Sequence, residues 1–416
     1  MSDLSDGPGR RRALSLRLYQ AALEAVDGRR CVRQWLREHP LDGPVRAVAI
    51  GKAAAGMHAG AAEALGGALQ QSLLITRRGY APAAAASVEV IEAGHPLPDA
   101  NSLRAGERLL AFLADGSGEA RWLFLISGGA SSLVEAPVAG VTLADLQHLN
   151  QWLLASGLPI AQMNALRRRL SRIKGGRLRG QLHGRVARCL LISDVPGDDP
   201  AVIGSGLLFP PAQEPALELA ACPDWLQRLL TRAGVSTPPP APGPDTGIVA
   251  EIVAGLDRAL DAAAAAARAA GLPVQRAAGR LDGDAEATGQ ALAEALLRGG
   301  PGVYLWGGET TVRLPARPGQ GGRCQHLALA AARMLAGHDI TLLAAGTDGS
   351  DGSGEAAGAC VDGGTLARGT LEGLDARTAL AQADSGRFLA AAGDLLDTGP
   401  TGTNVTDLVI GIKGVE

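Results

Sequence analysis

The stretch that most restricts what this chain can fold into is Arg121–Ser132, Arg-Trp-Leu-Phe-Leu-Ile-Ser-Gly-Gly-Ala-Ser-Ser. Trp122–Ile126 is a short continuous apolar run between turn signals, which reads as a buried strand. Ser127, Gly128 and Gly129 break it. Adjacent glycines permit positive φ and let a ligand come close to the backbone, while Ser131 and Ser132 add hydroxyls. A strand running into a Gly/Ser turn is where an open parallel sheet presents ligands, beyond the carboxyl ends of its strands. A helix that follows directs free N–H groups at a phosphate or carboxylate. The same residues also make a plain tight turn, so the stretch alone leaves both readings open.

The motif recurs in weaker form along the chain. Val45–Ile50 is a strand, and Gly51-Lys52 opens an Ala-rich helix over 53–65. Residues 71–76, 88–91 and 186–193 read as further strands, the last followed by Asp194-Val-Pro-Gly-Asp198-Asp199. Helices are expected over 13–37, 101–113, 142–155 and 159–170, with residues 1–12 frayed. Thr142-x-x-Asp145 supplies an acidic variant of a capping box. Residues 210–245 carry many prolines, Pro238-Pro239-Pro240 among them, and read as the domain boundary with a mobile hinge near 238–247. Beyond it, 248–270 reads as one long Ala-rich helix. Strands are expected at 274–278, 303–306, 310–314, 341–345 and 406–412, with helices at 285–297 and 326–335. Short helices fill 363–396. Strands and helices alternate in both halves, which argues α/β.

At 416 residues the chain exceeds one ordinary core, so two domains are expected, 1–240 and 241–416. A net charge of −3 and 3% aromatics give neither the electrostatic footprint nor the stacking platforms of a nucleic-acid binder. No apolar stretch reaches the ~18–20 residues that span a bilayer. Five widely spaced cysteines without a C-x-x-C disfavour disulfides and zinc, which makes a reduced, cytoplasmic protein the default.

No P-loop or G-x-G-x-x-G is present. Gly129-Ala-Ser131-Ser-Leu133 misses a nucleophile elbow because Leu133 stands where glycine is needed. Lys52, just past a strand, suits an anion, although an exposed first-turn lysine is ordinarily the favoured reading. Gly319-Gln-Gly-Gly-Arg323 leads through three glycines to a planar guanidinium suited to carboxylate or phosphate. Asp194, Asp198 and Asp199, and Asp348 and Asp351, end strands. They could hold Mg²⁺, which takes one or two carboxylates plus substrate phosphates, or simply make turns. Taken together, strand-end glycine loops with Lys, Arg and Asp in both halves suit an interdomain cleft for an anionic substrate and a phosphate donor.

Nine segments in one order carry a resemblance. They are Gly51-Lys-Ala-Ala, Glu92-Ala-Gly-His-Pro-Leu-Pro-Asp, Ser127-Gly-Gly-Ala-Ser, Leu170-Ser-Arg-Ile-Lys-Gly-Gly-Arg-Leu, Ile192-Ser-Asp-Val-Pro-Gly-Asp-Asp-Pro, Gly307-Gly-Glu-Thr-Thr, Gly321-Gly-Arg, Ala345-Gly-Thr-Asp-Gly-Ser-Asp-Gly and Thr398-Gly-Pro-Thr-Gly-Thr-Asn. In this the chain resembles the glycerate 2-kinases, some of which carry the name hydroxypyruvate reductase. The resemblance implies a Rossmann-like N-terminal domain, a smaller α/β C-terminal domain and an active-site cleft between them. It implies ATP- and Mg²⁺-dependent phosphorylation of the 2-hydroxyl of D-glycerate to 2-phosphoglycerate.

Under that resemblance Lys52 and Arg323 are the expected catalytic pair. Ser127, Gly128, Gly129, Ala130, Ser131 and Ser132, with Lys174, Glu309 and Asp348, are the expected substrate and phosphate contacts. Asp194 and Asp351 are the expected metal ligands; Asp194 is the candidate either for metal ligation or for accepting the hydroxyl proton, two roles the sequence leaves open. The expected partner is a small hydroxy acid, with no nucleic acid and no membrane; a homodimer stays open. The family usually has a third Gly where Ala130 stands and Ser-Gly-Pro at Ser205-Gly206-Leu207. After Gly-Gly-Arg it usually has Asn, any residue and Glu; this chain has Cys324, Gln325 and His326. Those last two differences keep two alternatives open, a kinase of a related hydroxy acid and a non-catalytic binder of an anionic metabolite. An NAD(P)H-dependent hydroxypyruvate reductase is disfavoured by the missing dinucleotide fingerprint.

Overall fold

A computed structural model describes residues 7–81, 87–115, 120–218, 222–235, 247–352 and 354–414. The hinge expected near 238–247 lies, except for Gly247, outside the described residues. The chain divides into two compact units, residues 28–253 and residues 1–27 with 254–416. The expected division at 240/241 placed the first helix in the wrong unit. Gly7–Ala25 packs with the C-terminal residues because its apolar face, Leu14, Leu18, Tyr19 and Ala22, is buried there. Arg11 pairs with Asp339, and Arg12 with the buried Asp394. The helix also begins well before residue 13, so the expected fraying over 1–12 does not hold from Gly7 onward.

In the unit 28–253, six strands form one sheet: β1 (Val45–Ile50), β2 (Leu69–Arg77), β3 (Val88–Ala93), β4 (Arg121–Ile126), β5 (Ala187–Ile192) and β6 (Ile248–Ala254). Their order is β3-β2-β1-β4-β5-β6, that of the Rossmann sheet. β1 pairs in parallel with both β2 and β4, and β4 with β5. Strands covered on both faces read as unbroken apolar runs, which is why Trp122–Ile126 was legible. Val48, Ile50, Leu73, Ile75, Trp122 and Phe124 belong to its core. A separate smaller core forms among helices Leu143–Ala155, Ile160–Arg169 and Asp224–Arg232, with Leu149, Leu166 and Leu226 at its centre.

In the other unit, six more strands form a second sheet: β7 (Val274–Arg276), β8 (Gly302–Gly308), β9 (Ile340–Gly346), β10 (Gly358–Asp362), β11 (Leu395–Leu396) and β12 (Asp407–Lys413). The order is β11-β10-β9-β12-β8-β7. Only β7–β8 is parallel; the remaining pairs are antiparallel. Helices Ala285–Arg298 and Arg323–Leu335 pack together over it, and their Ala- and Leu-rich faces fill the core.

Three local readings differ. Residues 248–270 hold β6 and then a helix over Leu256–Ala269, because the first segment's backbone pairs into the sheet, which overrides alanine's helix preference. Residues 310–314 make only a bridge at Thr311. β10 was missed inside a Gly/Ala-rich segment whose residues fit a strand only because β9 lies beside it.

Candidate active site

The unit 28–253 places two Gly turns side by side. Ile50 of β1 stands opposite Ile126 of β4, so Gly51 and Ser127 leave the sheet together. Neighbours β2 and β4 continue to opposite sides of β1, which makes this gap the sheet's switch point, the place where such sheets bind ligands. Lys52 N–H donates to Gly128 O at 3.0 Å, and Ala53 N–H to Ser127 Oγ at 3.0 Å. Thr76 Oγ1 donates to Gly51 O at 3.0 Å. Gly51 has φ 127°, and a Cβ on it would collide with Ser127 Oγ and stand 2.6 Å from Ser127 O. Only glycine lets these two strand ends close up.

Gly129 takes φ 83° and starts the short helix Ala130–Leu133. A Cβ there would lie 3.1 Å from the His95 ring and 3.2 Å from the Lys52 side chain. Lys52, His95 and the glycine turn therefore share one small space. Ser131 Oγ lies 2.8 Å from Ser205 Oγ, and Ser132 Oγ donates to Gly129 O at 3.3 Å. Ser205 holds φ 62° although it is not glycine, and it is buried. Such strained residues cluster at ligand sites. Sequence reasoning missed Ser205; the surrounding Gly204 and Gly206 were the available sign. Asp194 follows β5 at the same carboxyl end of the sheet.

Lys174 stands apart from this group of contacts. It is buried and ion-paired with Glu135, whose Oε1 also accepts from Ser171 Oγ at 2.5 Å. Its charge is neutralised inside the protein. What it does is fix the loop whose Gly175 N–H reaches Ser205 O at 3.1 Å.

The other unit builds its site at the start of helix Arg323–Leu335. Gly322 is the N-cap, and a Cβ there would run into Asp351. Asp351 accepts from Cys324 N–H at 3.1 Å and Gln325 N–H at 2.8 Å, one to each carboxylate oxygen. Negative charge at a helix start is favourable, yet burial and the neighbouring Asp407 raise its pKa to about 7. Arg323 lies across Asp407, Nε to Oδ2 at 2.6 Å and Nη2 to Oδ1 at 3.0 Å, and Nη1 reaches Glu309. Burial works against its charge, but the Asp407 and Glu309 carboxylates outweigh it and hold its proton more firmly than usual.

Asp348 Oδ1 accepts from Ser350 N–H at 2.9 Å and Ser350 Oγ at 3.1 Å. Tyr19 Oη, from the first helix, donates to Gly346 O at 2.7 Å beneath that turn. Its pKa is raised by burial and by Cys324, Asp348 and Asp407 nearby. Cys324 is buried, and burial with Asp407 and Asp351 keeps its thiol protonated. His326 is buried, its Nδ1 3.1 Å from Ser385 Oγ, and burial lowers its pKa so that it is neutral at pH 7. Asp407 and Tyr19 were not found from sequence: one hides at a strand start, the other more than 300 residues away from Arg323.

Among the described residues no group of three or more His, Cys, Asp or Glu could hold a metal, and no helix is long and apolar enough to cross a membrane. With both oxygens on backbone N–H groups, Asp351 acts as a helix cap here, contrary to its expected place as a metal ligand.

Residues 14–228 match the family described as "Domain of unknown function (DUF4147)", and residues 302–407 match the MOFRL family. The chain is 34% identical to a D-glycerate 2-kinase of Thermotoga maritima, over 96% of this chain and 97% of that protein. It is 32% identical to a glycerate 2-kinase of Pyrococcus horikoshii, over 96% of this chain and 97% of that one. The crystal structure of the Thermotoga maritima glycerate kinase superposes with a TM-score of 0.82 at 33% identity, covering 98% of this chain and all of that one.

Proposed function

The chain belongs to the glycerate 2-kinase family, built of a DUF4147 domain followed by a MOFRL domain, and from that premise we propose that it transfers the γ-phosphoryl group of ATP to the 2-hydroxyl of D-glycerate. The observation that carries the reading is the convergence of Lys52, His95 and the Ser127–Gly129 turn at the switch point of a Rossmann sheet. Phosphoryl transfer asks a protein for positioning and charge stabilisation more than for covalent chemistry. Lys52 supplies a point charge for phosphate oxygens there. The turn supplies hydroxyls and a backbone that a ligand can approach closely. Arg323 is the candidate cation of the unit that carries it, held in one orientation by Asp407 and by Glu309, an arrangement that suits phosphate oxygens without rearrangement.

Asp194 is the proposed acceptor of the hydroxyl proton. Mg²⁺ fits this donor set only as an ion carried on the nucleotide phosphates, with Asp194 as a carboxylate ligand. Bound in that way it neutralises phosphate charge. The name hydroxypyruvate reductase borne by a 38% identical relative from Agrobacterium vitis finds no support in a dinucleotide-binding glycine motif. Coupled ADP release with ATP, Mg²⁺ and a panel of small hydroxy acids tests the proposal. D-glycerate is expected to be turned over, and Lys52→Ala to lower kcat by about two orders of magnitude. Turnover of NADH with hydroxypyruvate, without ADP release from glycerate, refutes it.

A further inference from the structure

Among the buried and half-buried cations of the unit 28–253, the half-buried Arg167 is held in an unusual way. Arg168 has a two-pronged ion pair with Glu214, at 2.9 and 2.7 Å, and Lys174 has Glu135. Arg177 donates to the carbonyls of Arg168 and Ser171. Arg167 instead donates its Nε to Asn150 Oδ1 and its Nη1 to Asn164 Oδ1, both at 3.1 Å. Both acceptors are neutral amide oxygens. Among the described residues no carboxylate pairs with Arg167, and burial alone acts on it, pushing its pKa below the usual arginine range. A guanidinium shielded from much of the water around it and given no counter-charge is a costly arrangement; an anion from outside would offset it, and the part of the side chain left exposed is where such an anion could reach it.

Its surroundings put it by the site. The helix Ile160–Arg169 packs against the turn Ile203–Ser205, whose Ser205 Oγ meets Ser131 Oγ at 2.8 Å. The helix Leu143–Ala155, which supplies Asn150, holds Pro98 O through Gln147 Nε2 at 2.9 Å. Pro98 belongs to the loop that places His95 against Gly129. The two asparagines that grip Arg167 thus come from the two helices attached to the rim of the Ser127–Ser132 turn. We infer that Arg167 binds the carboxylate of the acid substrate, and that Asn150 and Asn164 hold its guanidinium in place. The planar fork of arginine suits a carboxylate better than the point charge of lysine does, and Lys52 already faces the glycine turn where phosphate is proposed. This inference rests on the kinase reading for the identity of the acid.

The test compares wild type, Arg167→Gln, Arg167→Lys and Asn164→Ala with D-glycerate, with its neutral amide glyceramide, and with ATP. Arg167→Gln is expected to raise the KM for D-glycerate roughly 30-fold or more, to leave the KM for ATP within about threefold, and to abolish the preference for glycerate over glyceramide. Arg167→Lys falls between the two, and Asn164→Ala raises the glycerate KM by a smaller factor in the same direction. An unchanged glycerate KM, or a rise confined to ATP, overturns the inference. If Arg167→Gln does not fold, the wild type and Arg167→Lys decide: equal use of acid and amide by the wild type overturns it. Failure of the wild type to phosphorylate any hydroxy acid defeats the kinase reading by itself. In that case calorimetric binding of D-glycerate, weakened at least tenfold by Arg167→Lys, sustains the inference, and binding that is absent or unweakened overturns it.

Discussion

The candidate anion sites of the two units are built by opposite means. Around Gly51 and Ser127 the work is done by backbone: two glycines at φ 127° and 83°, hydroxyls, and one lysine. Around Arg323 it is done by side-chain charge: a guanidinium held by Asp407 and Glu309, above a third carboxylate capping the same helix. The first arrangement fails if a single methylene is added. The second tolerates shape changes but depends on charge balance and therefore on pH. Preorganisation by steric closeness and preorganisation by ion pairing are thus separable experimentally.

Gly51→Ala is the sharpest test of the backbone-built side. The added Cβ meets Ser127 and the residue must keep a left-handed φ, so a loss of about 4 kcal/mol or more in that unit's stability is expected. A melting temperature within a few degrees of wild type would show that the strand ends can part freely. Next comes Arg323→Ala, which leaves the buried Asp407 without its cation. Turnover is expected to fall about 100-fold or more, with Arg323→Lys recovering little because a point charge cannot span Asp407 and Glu309 together. Full activity in the lysine variant would reduce the array to simple charge.

The third prediction concerns Asp351. Its folded pKa of about 7 lies above that of an unfolded carboxyl. The folded state therefore holds a proton that the unfolded state has released, and this contribution is lost as pH rises from about 4 through 7. Stability of the unit carrying Arg323 should decline across that window by about 2 to 4 kcal/mol. Asp351→Asn should flatten the decline, and denaturant titrations at several pH values measure it. An unaltered slope in the asparagine variant assigns the titration elsewhere. The smallest effect is expected from Ser205→Gly. Relief of the strained φ adds about 0.5–1 kcal/mol of stability, while loss of the Ser131 contact lowers activity only a few-fold. A pure loss of stability would show that the serine pair holds the turn together.

The sheet containing Ser127 was readable because strands buried on both faces leave unbroken apolar runs, and because glycines mark where they end. Lys52 and Ser127–Ser132 stood out for the same reason, each following or sitting in such a turn, and Arg323 stood out by the three glycines that lead to it. The strands at 248–254 and 358–362 were not, since their residues prefer other states and become strands only through a neighbour in the sheet. Lys174 was an expected contact only through the family resemblance of the segment Leu170–Leu178. Its buried partner Glu135 is 39 positions away, a pairing no local pattern reveals.

Residue order was thus enough for the alternating elements, for the glycine turns at strand ends and for the family. These depend on backbone dihedral freedom and on periodic burial, both written locally. Folding alone decided that the first helix serves the C-terminal unit, that Asp407 and Tyr19 attend Arg323, that Asp351 caps a helix, and that Arg167 has no acidic partner among the described residues. Each of those depends on which charges and hydroxyls meet across tens to hundreds of residues, and electrostatic partners carry no signature until the chain has brought them within a few ångströms.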